Sequence, residues 1–192
     1  MDITFRQGVI AVRFLLVMTL VLGVGYPLVV FAAGRAVPGT ADGSFVTDSS
    51  GTVVGSALIG QSFDGPTWFQ SRPSAAGQGY DALSSGGSNL GASSDDLVKA
   101  VTQRRAAITA SDGVDPASIP ADAVTASGSG LDPDISPEYA YEQVARVAKA
   151  RGLDAARVRA LVADHVMGRT LGFMGEPRVN VLQLNLALGS LT

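Results

Sequence analysis

The sequence predicts an α+β protein: one N-terminal transmembrane helix followed by a single mixed extracytoplasmic domain. Three observations predict it. Residues 14–34 carry no charge and are mostly Val, Leu, Met, Phe and Ala; Arg6 and Arg13 precede that run; and the rest of the chain mixes β-like stretches with capped amphipathic segments. With 192 residues there is room for one domain plus an appendage, since domains usually hold about 100 to 200 residues.

The uncharged run sets the division into a short cytoplasmic N-terminus (1–13), the span (14–34) and the domain (35–192). At 1.5 Å per residue its 21 residues cover roughly 30 Å, the thickness of a bilayer's hydrocarbon core. A cleaved signal peptide is the competing reading, because the run ends in Ala32, Ala33 and Gly34. A signal's apolar region is usually only about 7 to 15 residues, however, which favours a retained anchor. A buried core helix fits less well, because apolar residues surround the helix instead of forming one stripe. Gly23, Gly25 and Pro27 suit close packing against another membrane helix, or simply reflect how common Gly and Pro are in such helices.

Basic residues resist translocation, so Arg6, Arg13 and the α-amino group hold the N-terminus inside, against Arg35 alone behind the span. Residues 36–192 then lie outside the cytoplasm with 11 basic and 16 acidic side chains, a net charge of −5. An acidic domain argues against nucleic acid, whose phosphates demand a basic face.

Composition narrows the chemistry. The chain has no cysteine, one histidine (His165) and two lysines (Lys99 and Lys149), which removes thiolate chemistry and leaves little for metal clusters or Schiff bases. Charged residues make up 16% of the chain against about 25% in typical soluble domains. Mean hydropathy is +0.27.

Along the domain, Asp48-Ser49-Ser50-Gly51 between Phe45-Val46 and Val53-Val54 reads as a short hairpin or loop. Residues 56–63 and 68–70 read as strands interrupted by Asp64-Gly65-Pro66. Residues 71–94 are turn-rich, and such long irregular segments are usually functional or disordered. Ser93 or Ser94 caps a helix with Asp95 and Asp96 in its first turn and Leu97, Val101, Arg104 and Ile108 at helical spacing. Residues 112–120 form a linker, and 124–134 a second Gly/Ser-rich stretch. Ser136 and Pro137 open a helix that Gly152 closes, and Asp154 caps another carrying Val158, Leu161, Val162 and His165 on one side. These two helices suggest a hairpin. The tail alternates at Leu182, Leu184, Leu186 and Leu188 like a strand, yet Val181, Leu184, Asn185 and Leu188 share a helical face that Asn180 would cap. The helical version is favoured.

No lysine follows a glycine, so the chain has no Walker-type phosphate loop, and Gly-x-Ser-x-Gly and Ser-x-x-Lys are missing too. Asp132, Asp134 and Glu138 fail the EF-hand spacing and fit turn and helix-start chemistry. His165 lacks a visible nucleophile and better fits packing or a bond to a backbone carbonyl. Glu176 and Arg178 offer a charge pair around Pro177. Ser85, Gly86, Gly87, Ser88 and Asn89, with Ser127, Gly128, Ser129 and Gly130, are the candidate contact tracts. They could cradle an anion on backbone amides, let another chain approach closely, or simply be turns.

The residues resemble a known family, the C subunit (KdpC) of the Kdp potassium-transporting P-type ATPase. The resemblance rests on the single span, Gly60-Gln61-Ser62-Phe63, Phe69 with Arg72-Pro73-Ser74-Ala75, Ser85-Gly86-Gly87-Ser88-Asn89-Leu90-Gly91 and residues 125–133. It continues through Ile135-Ser136-Pro137, residues 143–148, Ala150-Arg151-Gly152, Leu171-Gly172, residues 175–181 and Leu184-Asn185-Leu186-Ala187-Leu188. Asp134 stands where many members carry His, and Val166-Met167 replaces a more polar pair.

The resemblance implies a non-enzymatic subunit that assembles and stabilises a complex with a potassium-translocating subunit, an ATP-hydrolysing subunit and a further small membrane subunit. No cofactor would be bound independently, and ATP and potassium would be used by the complex. The family is also described as a catalytic chaperone that raises ATP affinity through a transient ternary complex. Residues 83–88 loosely resemble the Leu-Ser-Gly-Gly-Gln signature of ABC ATPases, with an extra Ser85 and no Gln. The two ideas conflict over topology: ATP is cytoplasmic, whereas the charge bias puts both glycine tracts outside.

Overall fold

The computed structural model describes residues 3–191. Met1, whose α-amino group entered the orientation argument, lies outside the described residues. The chain forms two compact units, dividing between Ser44 and Phe45.

In the first unit, α1 (Ile3–Leu20), one π-helical turn (Val21–Gly25) and α2 (Tyr26–Arg35) make one continuous helix. Its 33 residues extend about 50 Å. The helix is long and apolar enough to cross a membrane, and it begins well before residue 14 because Arg6 and Arg13 are good helix formers. The π turn has a local cause. Pro27 has no N–H for the Gly23 carbonyl, and its ring crowds that same oxygen. The widened turn relieves the crowding, with the Tyr26 amide donating to the Val21 carbonyl. A short helix, α3 (Pro38–Ala41), follows, with Arg35 and Asp42 3.6 Å apart at the surface.

The second unit opens with the expected hairpin, β1 (Phe45–Thr47) antiparallel to β2 (Val53–Ser56). The Asp48 carboxylate closes its turn, accepting from the Ser50 and Thr52 amides at 2.9 and 3.0 Å, and Gly51 supplies φ +83. Bonds from the Ser50 hydroxyl and the Thr52 amide lower the Asp48 pKa.

The strands expected over 56–63 and 68–70 do not continue past Ser56. Side chains replace the ladder there. Arg146 Nη1 donates to the Pro66 and Trp68 carbonyls at 2.8 and 3.0 Å, and Arg151 Nε donates to the Thr67 carbonyl at 2.7 Å. Asn185 and Gln143 bond both backbone groups of Phe69 and Gln70, respectively. Every carbonyl from Pro66 to Gln70 thus has a side-chain donor, so the segment, which turns at Pro66-Thr67 and buries Phe69, needs no neighbouring strand.

Helix α4 (Asp95–Asp112) follows Ser94 and ends at Gly113, φ +70. Its inward face is the expected one: Val101 and Ile108 pack on the core, and Arg104 Nη1 donates to the Val124 carbonyl at 3.0 Å. A one-turn helix, α5 (Ala121–Val124), interrupts the loop, and its Asp122 carboxylate accepts from the Ser136 amide at 2.7 Å. The helix expected from Ser136 to Gly152 is two: α6 (Pro137–Glu142) and α7 (Val144–Arg151), separated by Gln143. Ser136 caps the first and Gly152 closes the second, as expected. Asp154 caps α8 (Ala155–Asp164), its carboxylate accepting from the Ala156 amide at 2.8 Å, and α8 packs on α7.

A three-stranded antiparallel sheet, too short to show a hydropathy period, joins β3 (Asp134–Ile135), β4 (Val166–Met167) and β5 (Arg178–Asn180) in the order β3-β5-β4. The helical reading of the tail is the observed one. Asn180 caps α9 (Val181–Gly189), accepting from the Gln183 amide at 3.1 Å. The core gathers Phe69, Ile135, Tyr139, Val147, Val158, Val162, Val179, Leu184 and Leu188.

Candidate functional site

The two glycine-rich tracts, some 40 positions apart, meet. The Gly86 amide and the Ser85 hydroxyl both donate to the Ser129 carbonyl, at 2.8 and 2.9 Å. Glycine is required where they cross. Gly130 has φ +68, and a Cβ there would lie 2.6 Å from both the Ala76 nitrogen and the Gly86 oxygen. A Cβ on Gly87 would come within 2.9 Å of the Gly128 oxygen. Gly86 and Gly128 themselves have open space around the Cβ position.

A third segment locks the crossing. Ser74 Oγ donates to the Gly130 carbonyl at 2.6 Å and accepts from the Tyr80 amide at 2.8 Å, while the Tyr80 hydroxyl donates to the Arg72 carbonyl. Burial raises the Tyr80 pKa, so the phenol stays a donor at neutral pH. Arg72 Nη1 reaches Asp132 Oδ2 at 2.9 Å. Ser127 is buried, the Gly130 amide bonds the Ser127 carbonyl at 3.3 Å, and the Leu131 amide bonds Ser129 Oγ at 3.1 Å. Three strands of loop are therefore braided through close backbone contacts, and two of the amides an anion would use, those of Gly86 and Gly130, already have partners. The amides of Gly87, Ser88 and Asn89 bond to no described residue, and Asn89 is left-handed at φ +51.

The remaining candidates resolve individually. His165 Nδ1 lies 2.8 Å from the Leu161 carbonyl, the helix-end contact expected of it. Glu176 and Arg178 do not pair with each other: Glu176 meets Arg169 at 2.6 Å, and Arg178 meets Asp134 at 2.9 Å. Strand β5 is the reason, since it fixes Arg178 opposite Met167 and beside β3. Burial raises the Asp134 pKa, opposed by the Arg178 charge. Gly23 and Gly25 lie in the π turn, with Pro27 just beyond it. Among the side-chain clamps, Gln143 and Arg146 carry no signal in the hydropathy pattern, and Asn185 shows only as a polar residue on the apolar face of α9.

One helix able to cross a bilayer, joined to an α+β unit with loops knitted by glycine contacts, points to a membrane protein with one candidate span among the described residues. The comparisons make this specific. The family model for KdpC, described as K+-transporting ATPase, c chain, matches residues 9–190. A Kineococcus radiotolerans protein is 62% identical over 185 residues, covering 96% of this chain and 94% of its own. Relatives from Gemmatimonas aurantiaca and Acidobacterium capsulatum are 55% and 50% identical, over 90% and 93% of this chain and 87% and 95% of theirs. All three are named potassium-transporting ATPase KdpC subunit. The chain belongs to the KdpC family, subunits of the potassium-transporting ATPase.

Proposed function

We propose that this chain is a non-catalytic accessory subunit. It assembles and stabilises the potassium uptake complex and shapes the outside entrance of the potassium-translocating subunit. The other implied partners are the ATP-hydrolysing subunit and a further small membrane subunit. The observation that carries the reading is the crossing of the glycine tracts: the Gly86 amide bonds the Ser129 carbonyl and the Gly130 position excludes a Cβ, so the loops serve the domain's own rigidity. A rigid domain held by one span suits shaping a partner.

Orientation rests on charge. Arg6 and Arg13 before the span keep the N-terminus in the cytoplasm of a bacterial cell membrane, and the domain lies outside. Its net charge of −5 then raises the local concentration of cations near the entrance. The span uses Gly23, Gly25 and Pro27 to approach the potassium-translocating subunit closely. Truncating the chain after Arg35 tests the role. Assembly or transport falls if the domain acts as proposed, and unchanged potassium uptake by an assembled complex contradicts it.

A second reading has one observation in its favour. The unpaired amides at Gly87, Ser88 and Asn89 form a short run able to accept an anion, which suits a chaperone that raises ATP affinity. It requires the domain to be cytoplasmic. Azido-ATP labelling of residues 85–89 in the assembled complex supports it, and the lack of any label removes it.

A further inference from the structure

The π turn leaves the membrane helix with more carbonyls than amides. The Tyr26 amide donates to the Val21 carbonyl, and the Gly25 carbonyl, at the head of α2, is taken by the Val29 amide in the α-helical ladder. Between those two bonds lie the carbonyls of Leu22, Gly23 and Val24 and the nitrogens of Pro27 and Leu28. Pro27 has no N–H, so one amide faces three carbonyls and two of them have no amide of their own. They stand about 15 Å from either end of the uncharged run, at mid-depth of a bilayer's hydrocarbon core.

The helix's own hydroxyls do not make up the shortfall. Helix carbonyls point toward the C-terminus, so Thr19, one turn earlier, lies behind them, and the Tyr26 hydroxyl stands at the end of a ring turned outward, 64% exposed. The turn is also open to a neighbour. A Cβ on Gly23 would meet nothing nearer than Thr19 Cγ2 at 3.8 Å, and one on Gly25 nothing nearer than the Leu20 oxygen at 3.7 Å. Chemistry selects the occupant. Hydrocarbon holds no water to serve a bare carbonyl and lipid tails carry no N–H or O–H, so the donor has to come from protein at that depth. Small residues beside the oxygens let such a helix come close, and membership of a family of ATPase subunits supplies other chains to provide it. We infer that the π turn is the contact point of the span, and that its occupant is a transmembrane helix of another subunit presenting a hydroxyl or carboxamide donor to the carbonyls of residues 22–24. The inference rests on the proposed packing of Gly23, Gly25 and Pro27 on the potassium-translocating subunit and names the bond that packing makes.

Pro27→Ala restores the missing amide and lets the helix close its own ladder, and alanine is the better helix former, so the full chain still inserts. Tyr26→Ser keeps Pro27 and adds a hydroxyl that bonds back to the Leu22 carbonyl four residues earlier, with Tyr26→Ala as its reference. Each full-length chain is assembled into the complex, the complex is held on a column through a tagged potassium-translocating subunit, and loss of the chain in detergent is timed. The expected result is about tenfold faster loss of Pro27→Ala than of wild type, and about threefold faster loss of Tyr26→Ser than of Tyr26→Ala. Pro27→Ala lost no faster than wild type overturns the inference. Equal rates for the two Tyr26 variants also overturn it, because the partner then reads the shape of the helix and not the bare carbonyls. A wild-type chain that fails to co-purify with the potassium-translocating subunit defeats the packing reading and this inference together. Co-purification of wild type with variants that are lost no faster defeats the inference alone.

Discussion

The carboxamide of Asn185 brackets the backbone of Phe69. The Phe69 amide donates to Asn185 Oδ1 at 2.9 Å, and Asn185 Nδ2 donates to the Phe69 carbonyl at 2.8 Å. Both residues are buried, and α9 thereby presents to an irregular segment the donor and acceptor that a neighbouring strand would. Gln143 does the same for Gln70, at 2.7 and 3.2 Å. Two carboxamides, one from α9 and one from the junction between α6 and α7, thus grip adjacent residues of one segment.

Replacing Asn185 with Leu leaves a buried N–H and a buried C=O without partners. Each such group costs about 1–3 kcal/mol, so Asn185→Leu is expected to destabilise the chain by about 2–6 kcal/mol. The single tryptophan, Trp68, adjoins the segment, so its fluorescence during denaturant unfolding of the full chain in detergent measures the loss.

Arg146 joins the same clamp to a buried charge pair. Its Nε lies 3.0 Å from Asp112 Oδ1, with both side chains at most 5% exposed. Arg146→Met strands the carboxylate and two carbonyls, and a loss of about 3–5 kcal/mol is expected. Adding Asp112→Asn should restore part of it, as measured by the same unfolding curves.

Glu142 opposes that network. Burial, together with the charges of Asp112 and Asp122, pushes its pKa to about 7 from 4.5, and its Oε1 is buried without a hydrogen-bond partner. A carboxyl with a raised folded-state pKa binds its proton more tightly when folded. Its contribution is therefore favourable at low pH and is lost as pH rises from 4.5 through about 7. Glu142→Gln should raise stability at pH 8 by on the order of 1 kcal/mol, less than the full linkage value because the group keeps some solvent access. Unfolding midpoints of both chains from pH 5 to 8 should converge at the acid end, at about pH 5.

The glycine crossing separates architecture from ligand contact. Gly130→Ala forces a Cβ to 2.6 Å from two backbone atoms in a left-handed conformation, so about 2–4 kcal/mol should be lost. Gly128→Ala meets nothing within 4 Å and should shift stability by less than about 0.5 kcal/mol. Potassium transport by a complex carrying Gly128→Ala should match wild type. A fall in ATP affinity with the fold intact would favour the nucleotide reading.

Local signals in the sequence announced much of this architecture. Ser136 with Pro137, Asp154, Gly152 and Asn180 mark helix ends because capping is decided by one or two residues. The apolar run before Arg35 needs only length and charge. What stayed hidden depends on partners distant in the chain. Residues 68–70 read as a strand, but the bonds of residues 66–70 come from Gln143, Arg146, Arg151 and Asn185 across at least 73 positions. One signal was visible: Asn185 is a polar residue on the apolar face of α9, which a buried carboxamide needs a reason to occupy. The sheet strands of two or three residues are too short for any period. That the two glycine tracts meet each other also lies beyond composition, since either one alone reads as a turn.

On the proposed topology the domain stands outside the cytoplasm and acts on the complex from there. The absence of cysteine makes Ser118→Cys a direct test in intact spheroplasts producing the whole complex, using a membrane-impermeant maleimide. Labelling before lysis, to the extent reached after lysis, is the predicted result. Labelling only after the membrane is opened would place the domain with ATP in the cytoplasm and contradict the account.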